Sequence, residues 1–237
     1  MRLLVTRPEP DAARTAAKLT ALGHEALTQA LLRIAFNPPP VDVPQPAAIL
    51  VTSQNAVRAL AGWPQAAGWM AIPVFVAGPA TARALAELGF TNVRGGARDA
   101  ESLADTVLAT LRTHAGPLLY PAARDRAGAL AGRLTAQGYD VRTVEAYRAD
   151  PVARLEPAAR AALADGSIDG ILLYSRRTAK ALLAVAEAEG IAVALARPDY
   201  FVISDHVAEI VRDLGATVHI SRRPDEDSLL ALIPAAR

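Results

Sequence analysis

The sequence contains no cysteine, which removes disulfide frameworks, thiolate metal centres and thiol nucleophiles together. Histidine is scarce. His24, His114, His206 and His219 are scattered along the chain, and none pair at the H-x-x-x-H or H-E-x-x-H spacing that sets two ligands on one helix face. Each reads as a surface or loop histidine, and no metal or other cofactor is expected. Charge of either sign is not in excess: 25 Lys and Arg against 24 Asp and Glu leave a formal net charge of +1. The basic stripe of a duplex-binding protein is therefore missing, and nucleic acid is a poor partner. No apolar run approaches the roughly 20 residues that a membrane helix needs. A strand pattern begins almost at Met1, in place of a basic segment, an apolar stretch and a small-residue cleavage site. A cytoplasmic protein without membrane attachment is expected. Phosphate loops are missing too. Gly78-Pro79-Ala80-Thr81 lacks both G-x-x-x-x-G-K-[ST] and G-x-G-x-x-G, so nucleotide binding is not supported, and Gly95-Gly96 reads as a flexible turn.

What is present is apolar and helix-forming. Of the residues, 52% are hydrophobic and 21% charged, a balance that argues against disorder and for ample burial. Much of the apolar content is alanine, which favours helix but contributes little buried area per residue. One local design recurs six times: a short apolar strand, a small or polar turn, then an Ala/Leu-rich helix. The copies open at Leu3-Leu4-Val5, Ile49-Leu50-Val51, Val74-Phe75-Val76, Leu118-Leu119-Tyr120, Ile171-Leu172-Leu173 and Tyr200-Phe201-Val202. Several helices close on a glycine, at Gly23, Gly89, Gly138 and Gly215, as expected of the position just past a helix end. Continuous apolar strands alternating with helices predict parallel sheets covered on both faces.

The second half of the chain repeats the first in order. Leu4 through Thr20 and Gly23 correspond to Leu119 through Thr135 and Gly138; Ile49 to Ser53 correspond to Ile171 to Ser175; Glu101-Ser102-Leu103 corresponds to Asp227-Ser228-Leu229. Each first unit is followed by an extended stretch, Leu31 to Phe36 and Val144 to Ala149, and then by prolines at 38 to 40 and at 151, which stop regular structure. Two matched extended segments suggest that the chain crosses twice between domains. The domains would be residues 1–30 with 151–237, and an inserted 41–143, with 31–40 and 144–150 as linker strands. Two consecutive halves split near Gly116 are the alternative.

These features resemble the uroporphyrinogen-III synthase family over essentially the whole chain. The residues that carry the resemblance are Val5-Thr6-Arg7-Pro8, Thr52-Ser53-Gln54-Asn55-Ala56-Val57, Val76-Ala77-Gly78-Pro79-Ala80-Thr81-Ala82, Glu145-Ala146-Tyr147-Arg148 and Tyr174-Ser175-Arg176-Arg177-Thr178-Ala179. Each is weak alone; their order and spacing are specific. The family's second Gly-Pro-x-Thr-Ala turn is replaced here by Ser204-Asp205-His206-Val207-Ala208, and a glycine common after the fourth strand by Ala123. No threonine role is carried over to the altered turn. The resemblance implies two similar α/β domains of flavodoxin-like topology, each a parallel sheet flanked by helices, joined by a two-stranded ladder. The substrate, hydroxymethylbilane, would lie in the cleft between them.

That substrate is an open tetrapyrrole bearing acetate and propionate groups, so a chain of near-zero net charge must bind it through local donors. Strand-to-helix turns supply free N–H groups, the helix dipole and hydroxyls, and in open α/β sheets they lie where ligands usually bind. Thr6, Ser53, Thr81, Ser175 and Ser204 fall at such turns. Each also reads as a plain helix cap worth ~1 kcal/mol. Arg7, Arg124, Arg126, Arg176 and Arg177 gather at the same turns, as bidentate carboxylate partners or as solvated surface side chains. Tyr147 matches a family tyrosine in the proposed crossing. It would donate a proton or hydrogen bond as the substrate's hydroxyl leaves, or simply pack against the linker. The pyrroles supply the remaining electrons: loss of water gives an azafulvene, the substituted carbon of ring D attacks it, and the spiro intermediate recloses with ring D inverted. The protein's share is orientation and exclusion of water. A monomer is expected, with transient hand-over of substrate from the preceding pathway enzyme.

Two other classes fit a double-crossing α/β chain. A small-molecule binding protein is one, though a cytoplasmic sensor would bring a DNA-binding element and no helix-turn-helix lies outside the repeats. A nucleotide-sugar transferase is the other, and it needs an acidic or metal-linked diphosphate site that this sequence does not offer.

Overall fold

The continuous apolar runs become buried parallel strands in the computed structural model, which describes residues 1–125 and 129–235. In chain order the elements are β1 (Arg2–Val5), α1 (Asp11–Ala21), β2 (Glu25–Thr28), β3 (Leu32–Phe36), β4 (Ala48–Val51), α2 (Gln54–Ala61), β5 (Val74–Ala77), α3 (Pro79–Glu87), β6 (Val93–Ala97), α4 (Ala100–Thr110) and β7 (Leu118–Ala123). They continue with α5 (Leu130–Ala136), β8 (Val141–Pro151), α6 (Pro157–Ala164), β9 (Gly170–Leu173), α7 (Arg176–Ala188), β10 (Asp199–Val202), α8 (Asp205–Val211), β11 (Val218–Ile220) and α9 (Glu226–Leu230). Short 3₁₀ turns lie at Pro64–Trp69, Ala192–Ala196 and Arg212–Leu214.

The chain divides into two compact units. One comprises Met1–Arg33 and Asp150–Arg237, the other Ile34–Ala149. The first unit holds a five-stranded sheet in the order β11-β10-β9-β1-β2, with every neighbouring pair parallel. The second sheet runs β3-β8-β7-β4-β5-β6, parallel from β8 to β6. Without β3 the two sheets have the same spatial arrangement once β1, β2, β9, β10 and β11 are matched with β7, β8, β4, β5 and β6; in chain order the first is 2-1-3-4-5 and the second, which begins at β4, is 3-2-1-4-5, both doubly wound. In the second unit, alternate residues of β4 supply opposite faces, as a strand's period of two requires. Ile49 and Val51 pack with Val57, Leu60 and Leu85 from α2 and α3; Ala48 and Leu50 pack with Leu103, Val107, Leu130 and Leu134 from α4 and α5. In the first unit Leu3, Val5, Leu172 and Phe201 pack with Leu19 of α1 and Leu229 of α9. The expected α/β fold of parallel sheets flanked by helices is what the chain adopts.

The helix ends follow the sequence. Gly23, Gly89, Gly138 and Gly215 all have positive φ, the left-handed conformation that lets the chain turn back without a Cβ clash. One expectation is corrected. Gly95-Gly96 is not a free turn but part of β6, paired with β5 through a register shift between Phe75 and Ala77; an edge strand tolerates the missing side chains because one of its sides is unpaired. The extended stretch at Val144 to Ala149 belongs to the longer β8, since ladder pairing with β7 already begins at Val141. Arg126 lies outside the described residues.

Candidate functional site

The donor-bearing turns sit at the carboxyl ends of the strands. In the second unit, Ser53 follows β4 with φ −156° and ψ 153°, and its Oγ accepts the Ala56 N–H at 3.1 Å to cap α2. The same oxygen lies 2.8 Å from Tyr147 Oη. One residue earlier, Thr52 Oγ1 is 3.3 Å from the phenol of Tyr120 on β7. Two adjacent hydroxyls at the tip of β4 thus meet two tyrosines, one from the adjacent β7 and one from β8 on its far side.

A bulge sets Tyr147 in this place. Along β7 and β8 the partners run Leu118 with Val141 to Ala122 with Glu145, and then Ala123 faces Tyr147. The extra residue is Ala146. A one-residue slip moves a side chain to the other face of a sheet, so Tyr147 takes the orientation Ala146 would have had. Hydrogen bonds hold the segment on both sides: Arg124 N–H donates to the Tyr147 carbonyl at 2.9 Å, and Asn37 N–H to that of Ala146 at 3.0 Å. The Tyr147 ring is buried and lies 6.4 Å from that of Phe36. Beside it, the Asn37 amide, aided by the Arg124 charge, holds the Glu145 carboxyl below its ordinary range. Thr81 is buried in the first turn of α3. It does not cap that helix; Gly78, at φ 83°, occupies the cap.

In the first unit the same edge is built differently. Ser175 caps α7 by accepting the Thr178 N–H at 3.1 Å, with its hydroxyl also 2.8 Å from Thr178 Oγ1. Arg176 is exposed and forms no ion pair with a described residue. Ser204 occupies the cap position of α8 without a side-chain capping bond. Thr6 and Arg7 are both engaged inside the unit. Thr6 is fully buried and donates to the Leu172 carbonyl at 2.6 Å, so it fastens β1 to β9 and offers no surface to a ligand. Arg7 is already paired: its guanidinium meets Glu226 at 2.7 Å and Asp11 at 3.3 Å, and stacks over the Tyr174 ring at 4.4 Å.

Glu226 is the centre of a group that local patterns did not reveal. Its carboxylate accepts from Arg7, from Thr15 Oγ1 at 2.5 Å, from Lys18 Nζ at 2.7 Å and from Tyr174 Oη at 3.3 Å. Burial alone would raise the Glu226 pKa; Lys18, Thr15 and Arg7 outweigh it and hold the carboxyl below its ordinary value. The Tyr174 phenol is pushed well up, first by burial and then by the Glu226 charge, with Arg7 opposing. The only trace of this in the sequence is a tyrosine at a strand tip and an acidic first turn in α9.

Two hollows lie away from these turns. One, of about 660 Å³, opens at the amino ends of the first unit's strands beside Met1, Asp169 and Asp199; the other, of about 580 Å³, lies along α1 and α9 beside Leu22 and Leu230. Neither contains a donor-bearing strand tip, and the carboxyl ends are the usual ligand side of such sheets. Among the described residues, no group of three His, Asp or Glu side chains could hold a metal ion, and no helix is long and apolar enough to cross a membrane.

Comparison with known proteins follows the same lines. No curated protein matches the sequence. Among solved structures, the chain is similar to a uroporphyrinogen-III synthetase from Helicobacter pylori, at 20% identity over 98% of each chain with a TM-score of 0.68. It is also similar to a mutant uroporphyrinogen III synthase from the extremely thermophilic bacterium Thermus thermophilus, at 20% identity over 98% of this chain and 96% of that one, with a TM-score of 0.58. At such identity these matches speak for the fold. The family model described as uroporphyrinogen-III synthase HemD matches residues 13–231. With nearly the whole chain covered, strands of both sheets included, the chain belongs to the uroporphyrinogen-III synthase family.

Proposed function

We propose that this chain is a lyase that closes hydroxymethylbilane to uroporphyrinogen III, losing water and inverting ring D through a spiro intermediate, in haem biosynthesis. Tyr147 is the proposed catalytic residue, its phenol donating to the hydroxyl that leaves. Thr81, Ser175, Arg176 and Ser204 with the N–H groups of their turns, and at Ser53 the N–H groups of its turn, are the proposed donors to the substrate's acidic side chains. Arg7 and Thr6 are left out, because their polar atoms are spent inside the first unit.

The observation that supports this most is the Tyr147 phenol 2.8 Å from Ser53 at a strand's carboxyl end, in a chain matched by the family model over residues 13–231. A phenol is a suitable donor to a departing hydroxyl, and a positioned donor lowers the barrier only if it stays in place. The ladder bonds of Arg124 and Asn37 keep it there. Residues 1–30 with 151–237 would form one domain and 41–143 the other, with 31–40 and 144–150 crossing between them. The protein would work in the cytoplasm as a monomer without a cofactor, receiving its substrate from the enzyme that makes it.

The test is direct. Freshly made hydroxymethylbilane is incubated with the protein, and the oxidised products are separated by chromatography. The type III isomer should dominate; only the type I isomer, as in a protein-free control, would refute the reading. Tyr147→Phe should fold normally and lower turnover about tenfold, the worth of one well-placed hydrogen bond in the transition state. Unchanged kinetics in that variant would remove Tyr147 from the mechanism.

A further inference from the structure

Ser53 does two things with one hydroxyl. A serine oxygen has two acceptor lone pairs and one proton. The Ala56 N–H takes one lone pair at 3.1 Å, which leaves the proton and the second lone pair to meet Tyr147 Oη at 2.8 Å. Ser175 shows that the cap alone does not require this contact. It has nearly the same backbone, with φ −159° against −156°, and the same 3.1 Å capping bond, but its hydroxyl turns to Thr178 on its own helix. What sets Ser53 apart is its partner, a tyrosine 94 residues away in the chain.

The Tyr147 main chain is held by the Arg124 bond, and the residue is buried, at 8% exposed. With backbone and ring held, the phenolic O–H can still turn about its C–O bond. A hydroxyl that donates to the phenol oxygen turns that proton away from itself, and the run from Ala56 N–H through Ser53 O–H to Tyr147 O–H polarises in one direction. We infer that Ser53 is a positioning residue: it donates to Tyr147 Oη and so aims the phenolic proton at the leaving hydroxyl of the substrate. This deepens the proposed function and rests on the reading of Tyr147 as donor.

The experiment is a double-mutant cycle of Ser53→Ala and Tyr147→Phe, with Ser53→Thr and Ser53→Asp added, measured as kcat and KM on hydroxymethylbilane with helicity followed alongside. Ser53→Ala should lower kcat about fivefold at unchanged KM, and the double variant should be no slower than Tyr147→Phe alone, because both remove one device. Ser53→Thr should restore the rate. Ser53→Asp keeps a good cap but can only accept, so it should stay as slow as Ser53→Ala even where alanine unsettles the helix. Rate losses that multiply in the double variant, or a fast Ser53→Asp enzyme, would overturn the inference. A slow Tyr147→Phe with Ser53→Ala at full speed defeats the inference alone, whereas a fast Tyr147→Phe defeats the underlying reading and the inference with it.

Discussion

Glu226→Ala should destabilise the protein by about 2 to 3 kcal/mol, seen as a lower midpoint in urea with little change in slope. The carboxylate is about one-fifth exposed, as is its Arg7 partner at 18%, so the pair is neither fully desolvated nor freely solvated. Alanine would leave the fully buried Thr15 without its acceptor and the Arg7 guanidinium with Asp11, at 3.3 Å, in place of two carboxylates. Removing one partner of a largely buried ion pair costs more than the pair contributes, because the other charge stays behind. Lys18, nearly half exposed at 45%, regains water and adds little. The loss falls on the first unit, since Glu226 ties α9 to α1 and to the tip of β9.

The same group predicts a pH dependence with a definite sign. The Glu226 carboxyl is held below its ordinary value in the folded protein, so the unfolded chain binds that proton more readily. Its contribution is fully present above the ordinary carboxylate pKa and is lost as pH falls through the depressed folded value. Glu226→Gln keeps the shape and one acceptor oxygen. It should be less damaging than alanine at neutral pH, and its stability should fall less steeply below about pH 4. Equal acid sensitivity in wild type and Glu226→Gln would show that other carboxylates govern the acid limb.

Gly170→Val should cost about 3 kcal/mol, although valine is the better strand former. Gly170 opens β9, opposite Leu3 of β1 and Asp199 of β10. A Cβ placed on it would lie 2.7 Å from Phe201 Cε2 and 2.8 Å from Leu3 Cδ2. Both side chains are fully buried, so neither can swing aside without disturbing the core they share with Leu172 and Leu19. Removing glycine's freedom in the unfolded chain returns only ~0.5 to 1 kcal/mol. For a chain of this size the net loss corresponds to a fall of roughly 5 to 10 °C in Tm, readable by calorimetry. An unchanged Tm would mean that the packing at this strand crossing is loose.

Some of this was legible in the residues themselves. Leu3-Leu4-Val5 or Ile171-Leu172-Leu173 has no polar alternate position, which only a sheet covered on both faces permits, and both runs are completely buried. Ser53 and Ser175 were legible as turn residues because a short hydroxyl before an alanine-rich run is a local capping signal, and both cap their helices. Val93 to Ala97 was not legible as a strand. Its glycines carry no pattern, and its pairing with β5 is a property of the neighbour.

The side-chain partners lay beyond any local pattern. Thr6 and Arg7 have the composition of a ligand-binding turn, yet Leu172 and Glu226, which engage them, are 166 and 219 residues away. The Thr52 contact with Tyr120 and the Glu226 group were missed for the same reason. By itself the sequence determined the alternation of strands and helices, their ends and the kind of group at each strand tip, because these follow from hydrophobic period and backbone conformation within a few residues. Only the tertiary structure decided which of those groups are spent internally and which tyrosine meets which hydroxyl. Strand order and a single bulge at Ala146 choose the partners, and both are settled by packing between segments far apart in the chain.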